Sequence, residues 1–295
     1  MIRTRILVPV SRPESFDPAF ERGLALARAS DAELHLIHAV PADRTFSSRA
    51  AQRLHRWAEL RKRAEAAQVT IQTIEQHGDP AGVIAVYADD RDVDLIVMTS
   101  ERRTGWARFR RPSVAERVMR RTARPTLVVR RDDTVDAGFR NVLAAVDLSP
   151  TSNTVIEMAK QLSQPDARRL TVVHAVESLE GPGAVRSRAR WVVPEYRAFV
   201  LNDYRRRLEA IVHGAAVDSA AQLRVTPGPA IDAIVEEAAY VDADLIVVGT
   251  RERLMRRGST AIRVLRESGR AVLVVPQAAS LRLSGATQPS LRRAA

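Results

Sequence analysis

The chain repeats itself, and that repeat bounds its fold more tightly than any single motif. Ile6-Leu7-Val8-Pro9-Val10 recurs 136 residues on as Val142-Leu143-Ala144-Ala145-Val146, and Leu36-Ile37-His38-Ala39-Val40 recurs at the same offset as Val172-Val173-His174-Ala175-Val176. Asp92-Val93-Asp94-Leu95-Ile96-Val97 returns 150 residues on as Asp242-Ala243-Asp244-Leu245-Ile246-Val247, and Leu127-Val128-Val129 returns 146 on as Leu273-Val274-Val275. Four matches in one order make a duplication. The drift in offset gives the second copy 14 extra residues between its second and fourth strands and four fewer between its fourth and fifth. A period of roughly 140 residues is far longer than a solenoid unit. Each copy is therefore a whole domain, and 295 residues hold two such cores.

Within the first copy, short apolar runs near 4–10, 34–40, 69–75, 94–99 and 126–130 read as strands. Segments with helical period lie between them, near 17–29, 48–67, 80–90 and 113–123. The strand runs are apolar on both parities, as strands covered on both faces require. Strand–helix alternation predicts a parallel sheet with right-handed crossovers. The second copy's extra residues fall around Gly181-Pro182-Gly183 to Pro194, before a helix near 195–213, and read as a loop insertion or flap. The polar stretch Arg131 to Gly138 reads as a linker between domains at 1–131 and 139–277, and 278–295 as a frayed, disordered tail.

Composition excludes several classes. There are no cysteines, hence no disulfides, zinc–thiolate sites or thiol nucleophiles. No apolar window approaches the roughly 18 residues of a membrane span. The opening Met1-Ile2-Arg3-Thr4-Arg5 lacks a signal-peptide pattern, so the expected compartment is the cytoplasm. The net charge of +11 rests on Arg, with Lys only at 62 and 160, and aromatics are 4% of residues. That skew reads as genome composition, and the scarcity of stacking side chains argues against a nucleic-acid partner.

In an open parallel sheet the chemistry lies beyond the carboxyl ends of the strands. There the sequence has Ser11-Arg12-Pro13 and Asp147-Leu148-Ser149 after the first strands, and Thr99-Ser100-Glu101-Arg102 and Gly249-Thr250-Arg251-Glu252 after the fourth. The fourth helices begin at Pro112-Ser113-Val114-Ala115 and Gly258-Ser259-Thr260-Ala261. Hydroxyls and free N–H groups at a helix start favour an anion by about 0.3–1 kcal/mol each, but taken alone Ser259 reads first as a plain N-cap. Asp147 reads either as a ribose or adenine acceptor or as an Asx turn leading into the helix. His38 and His174, ending buried strands, read as satisfied core residues rather than metal ligands. Glu236-Glu237 has no visible partner in the sequence. No Walker A or nucleophile-elbow signature is present, and no catalytic constellation emerges.

The order of apolar strand then Asp-x-Ser, His-Ala-Val, Asp-Ala-Asp-Leu-Ile-Val-Val-Gly-Thr, Gly-Ser and closing Ala-Val-Leu-Val-Val-Pro resembles the universal stress protein family. The stretch Ser113-Val114-Ala115-Glu116-Arg117-Val118-Met119-Arg120-Arg121 to Pro125-Thr126-Leu127-Val128-Val129-Arg130 carries the same resemblance in the first copy. It implies two tandem Rossmann-like domains of the adenine nucleotide alpha hydrolase-like type, each an α/β fold with a five-stranded parallel sheet flanked by helices. Many members bind ATP through Gly-x2-Gly-x9-Gly-Ser/Thr after the fourth strand, an Asp after the first and backbone after the second. The first copy departs from this pattern: Thr99, Arg102 and Pro112 stand at the glycine positions and Ser11 at the Asp position, leaving only Ser113. The second copy keeps Asp147, Gly249, Gly258 and Ser259, but Glu252 replaces the second glycine and five residues, not nine, separate it from Gly258.

The resemblance thus implies a stress-response protein binding ATP or another adenine nucleotide, with or without Mg, in the second copy alone. The implied site residues are Ala145, Asp147, Ala175, Val248, Gly249, Arg251, Gly258, Ser259 and Thr260. Two rival readings stay open: a ligand-free interaction protein whose sites have both decayed, and a weak ATPase. Family domains pair through their fifth strands, which implies an intramolecular pseudo-dimer of 126–130 with 271–275, and room for a further homodimer.

Overall fold

The computed structural model describes residues 3–10, 17–40, 50–100, 112–131, 138–164, 169–177, 194–215, 221–250, 259–277 and 279, with backbone alone for 50–54. The chain divides into two compact units, the first running to Gly138 and the second starting at Phe139. The linker core 132–137, the insertion at 181–193, and the tail from 280 lie outside the described residues.

The first unit contains β1 (Arg5–Pro9), α1 (Pro18–Ser30), β2 (Glu33–Val40), α2 (Ala50–Ala66), β3 (Ile71–His77), α3 (Pro80–Asp90), β4 (Leu95–Ser100), α4 (Val114–Met119) and β5 (Thr126–Arg130). Its five strands are parallel in the order β3-β2-β1-β4-β5. The second unit contains β6 (Asn141–Ala145), α5 (Thr151–Leu162), β7 (Arg169–Val176), α6 (Pro194–Gly214), β8 (Gln222–Pro227), α7 (Ala230–Tyr240), β9 (Leu245–Thr250), α8 (Thr260–Glu267) and β10 (Ala271–Pro276). Its strands run parallel as β8-β7-β6-β9-β10. The duplication extends to register. Ile6 lies opposite Leu34 and Leu95, and Val142, its copy, lies opposite the copies of both, Leu170 and Leu245.

The central strands are buried on both faces, as their unbroken apolar runs require: Ile6, Leu7, Val8, Leu95, Ile96 and Val97 have no exposed surface, and neither do Leu245, Ile246 and Val247. The edge strands β3 and β8 are half-covered, consistent with Gln72, Thr73, Glu75 and Gln76 along β3. Helix α1 lies so close to β1 that a Cβ added to Gly23 would sit 2.5 Å from Val8 Cγ2. Only glycine permits that approach.

The repeated Asp-x-Asp is structural. Asp92 and Asp242 take left-handed backbone (φ 47 and 48) after α3 and α7, a conformation Asp tolerates better than most residues. Asp94 Oδ2 then accepts the Arg5 N–H at 2.8 Å. Asp244 accepts both Arg140 N–H (2.7 Å) and Asn141 N–H (3.0 Å), fastening the start of β6 to β9. The terminal histidines of the second strands are structural too: His38 Nδ1 donates to Val10 O at 2.8 Å and His174 Nδ1 to Val146 O at 2.9 Å. One element is shorter than its pattern. Helix α4 stops at Met119 rather than continuing to 123: the Arg121 N–H tightens to an i→i−3 bond with Val118 O, and Thr122 Oγ1 donates to Asp89 Oδ1 at 2.6 Å. Among the described residues no helix is long and apolar enough to cross a membrane.

Candidate functional site

In the second unit the sheet order reverses between β6 and β9, which separates the strand tips and leaves a crevice at their carboxyl ends. Strand β6 ends at Ala145, and the chain turns through Asp147, whose Oδ1 accepts the Ser149 N–H at 3.0 Å, and Leu148 at φ 59. This is the Asx turn the sequence allows, and it leaves Asp147 exposed. Strand β7 contributes His174 and Ala175, and β9 contributes Val248, Gly249 and Thr250. Helix α8 closes the far side. Ser259 caps it, with Oγ accepting the Ile262 N–H at 3.5 Å, and Thr260 is its first residue.

These residues enclose a cavity of about 440 Å³. Seven of the nine implied site residues line it: Ala145, Asp147, Ala175, Val248, Gly249, Ser259 and Thr260. Arg251 and Gly258 lie outside the described residues, as do Glu252 and the arginines at 253, 256 and 257. The cavity depends on Gly249. A Cβ there would stand 3.1 Å from Val155 Cγ2 and 3.4 Å from Thr151 Cγ2, on the helix that forms the wall.

The sequence reading missed part of this wall. Ser149, Thr151 and Ser152, at the foot of α5, also line the cavity. Thr151 is 5% exposed and Ser152 2%. The side-chain oxygens of all three are buried without a hydrogen-bond partner. The run Ser149-Pro150-Thr151-Ser152 held the signal, three hydroxyl residues in four at a helix start. Val155 and Ile234 supply apolar surface, and Glu177 a second carboxylate of the lining.

The first unit is built differently at the matching place. Thr99, standing where β9 has Gly249, donates through Oγ1 to Asp17 Oδ1 at 2.6 Å and accepts the Ala19 N–H at 3.1 Å. Asp17 Oδ1 also accepts the Ala19 N–H, at 3.0 Å, and so caps α1. Ser113 caps α4, accepting the Glu116 N–H at 3.1 Å. Ser11 to Pro13 and the basic loop 101–111 lie outside the described residues.

Glu237 finds its partner in Arg224 on β8, with Nε 2.7 Å from Oε1, across a strand–helix contact that helical spacing alone does not reveal. Among the described residues no three His, Asp or Glu side chains form a metal-binding group. Buried His35 contacts Tyr87 Oη through Nδ1 at 2.8 Å, and its Nε2 is 3.3 Å from Glu33. Burial holds its pKa below the ordinary 6.5, against the opposing pull of Glu33. Its neutral form is therefore favoured by folding, and the unfolded chain binds the extra proton first. Stability of the first unit should be complete above about pH 6.5 and decline as the pH falls below it. His35→Gln should flatten that limb in acid-unfolding curves; an unchanged limb would assign the loss to other groups.

Comparison with known proteins supplies the context. The universal stress protein family matches residues 3–130 and again 138–276. Universal stress protein A homolog 2 of Coxiella burnetii is 33% identical over 141 residues, 46% of this chain and 94% of its own. A crystal structure of a universal stress protein from Archaeoglobus fulgidus superposes over 92% of this chain and 98% of its own, with a TM-score of 0.70 at 19% identity, a likeness of fold. A universal stress protein solved in complex with cAMP is 26% identical over 43% of this chain and 97% of its own, with a TM-score of 0.37.

Proposed function

Because the chain belongs to the universal stress protein family, we propose that its second domain, residues 139–277, binds one adenine nucleotide and that the first, 1–131, binds none. The convergence of seven implied site residues on a single cavity at the switch point supports this reading. The base lies against Ala145, Ala175 and Val248, and Asp147 accepts from the ribose hydroxyls. The phosphates face Gly249 and the Ser259-Thr260 start of α8, where the positive pole of the helix favours negative charge. In the first domain Thr99 and Asp17 fill the corresponding space with their own hydrogen bonds. A carboxylate there repels phosphate.

The reading makes the protein a binding module rather than an enzyme, with the nucleotide as its signal. Calorimetry of the purified chain with AMP, ADP and ATP, with and without Mg, tests it. One ligand per chain is the expected stoichiometry. Two ligands per chain would refute the division of labour, and no heat with any of the three would leave a ligand-free interaction protein as the better reading.

A further inference from the structure

The helix starts of the two units differ in a systematic way. In the first unit α1, α3 and α4 begin under the side chains of Asp17, Asp79 and Ser113, each accepting a backbone N–H. Two of those caps are carboxylates, and Asp79 is further held by Arg117 Nη2 at 2.5 Å and by Arg121. In the second unit the matching positions before α5 and α7 are Pro150 and Pro229, and neither helix has a side-chain cap. Proline has no side-chain acceptor, so these two helix poles lack the internal anion that their counterparts possess.

Both uncapped poles open onto the same cavity: Thr151 and Ser152 begin α5 and Ala230 begins α7. An uncapped helix start alone would be unremarkable, since water can satisfy it. The hydroxyls make the difference. Thr151 Oγ1 and Ser152 Oγ have no partner, on residues at least nine-tenths buried, and Ser149 Oγ is buried and unpartnered beside them. A buried hydroxyl without a hydrogen bond is unfavourable by about 1–3 kcal/mol, and three on one wall is a concentration that a bound acceptor would relieve.

We infer that the foot of α5 is an oxyanion subsite, in which Ser149, Thr151 and Ser152 donate to one phosphate group of the ligand under the positive pole of the helix. It rests on the nucleotide reading for what carries that phosphate, and adds a second phosphate-binding wall facing the Ser259-Thr260 start of α8. The first unit's Asp17 carboxylate is the internal counterpart of this group, held by Thr99 where Gly249 leaves the second unit open. The preferred ligand is therefore one whose phosphates span two helix poles, a nucleoside di- or triphosphate rather than a nucleoside.

Titration of the full chain with inorganic pyrophosphate, followed through the backbone amide resonances, tests the subsite without the base. Saturable shifts are expected at Thr151 and Ser152. Pro150→Asp, which installs the first unit's cap, should weaken pyrophosphate by roughly tenfold or more through like-charge repulsion, whereas Pro150→Ala should leave it nearly unchanged. Unmoved Thr151 and Ser152 resonances, or equal weakening by both substitutions, would overturn the subsite. A parallel titration with ATP keeps the two readings apart. Pyrophosphate binding at α5 without ATP binding supports the subsite and removes the nucleotide. ATP binding that leaves Thr151 and Ser152 unmoved, with α5 silent toward pyrophosphate, removes the subsite alone.

Discussion

Gly249→Thr is expected to weaken adenine-nucleotide binding by roughly ten- to a hundredfold while leaving the fold of the second unit intact. The substitution installs the residue that the first unit already carries at Thr99, so a threonine is compatible with this strand end in the same register. What it changes is the space between β9 and α5. The new Cβ arrives 3.1 Å from Val155 Cγ2 and 3.4 Å from Thr151 Cγ2, so α5 must retreat or the cavity narrow. Overpacking of this kind typically opposes the bound geometry by about 1–3 kcal/mol, and each 1.4 kcal/mol is tenfold in affinity. Calorimetry reports the affinity and circular dichroism the fold. Undiminished binding by a folded Gly249→Thr chain would show that the ligand does not use this cavity.

The largest loss of stability is expected from the centre of the sheet. Ile246 has no exposed surface and lies opposite Leu143 on β6 and Val272 on β10. Truncation to alanine should destabilise the second unit by about 2–5 kcal/mol, from lost burial plus the cavity left behind. Because β9 also carries Val248 and Gly249, the same variant should lose nucleotide binding in parallel with folding. Val86→Ala, on a side chain 55% exposed on α3, serves as the control and should change stability by less than about 0.5 kcal/mol. Denaturant unfolding of the two variants decides it: equal midpoints would mean that β9 does not organise the core as its burial implies.

Much of this architecture is legible in the residues because parallel sheets have an unambiguous pattern. Runs such as Leu245-Ile246-Val247-Val248, apolar on both parities, fit a strand covered on both faces, and the helices between them keep their period. The copies could be aligned because four runs recur in one order, two of them carrying the polar marks His-Ala-Val and Asp-x-Asp. The seven residues that the family resemblance implies as a site meet at one cavity because strand ends in this topology point to one crevice. What escaped the reading depends on contacts between distant segments. Nothing local in Arg224 and Glu237 announces a pair, and the Asp17–Thr99 bond joins residues from opposite ends of the first unit. The wall formed by Ser149, Thr151 and Ser152 was visible only as a polar helix start, because burial, which makes those hydroxyls consequential, is a tertiary property.

The equal registers of the two sheets have a kinetic consequence. A chain carrying β1 and β6 in the same phase offers each partner strand two candidates during folding, and parallel pairing over long sequence separations is slow enough for the wrong one to be sampled. The close approach at Gly23 bears on which assembly survives. In the first unit Val8 meets a helix that has no side chain at that point. In the second, Ala144 takes the place of Val8 on the strand, and α5, the helix over it, contains no glycine. The bulk has moved from strand to helix. A swapped assembly would press Val8 against a helix with a side chain at every position and leave Ala144 facing Gly23 across a void. Both errors cost packing, so side-chain volume, and not backbone pairing alone, favours each strand under its own helix.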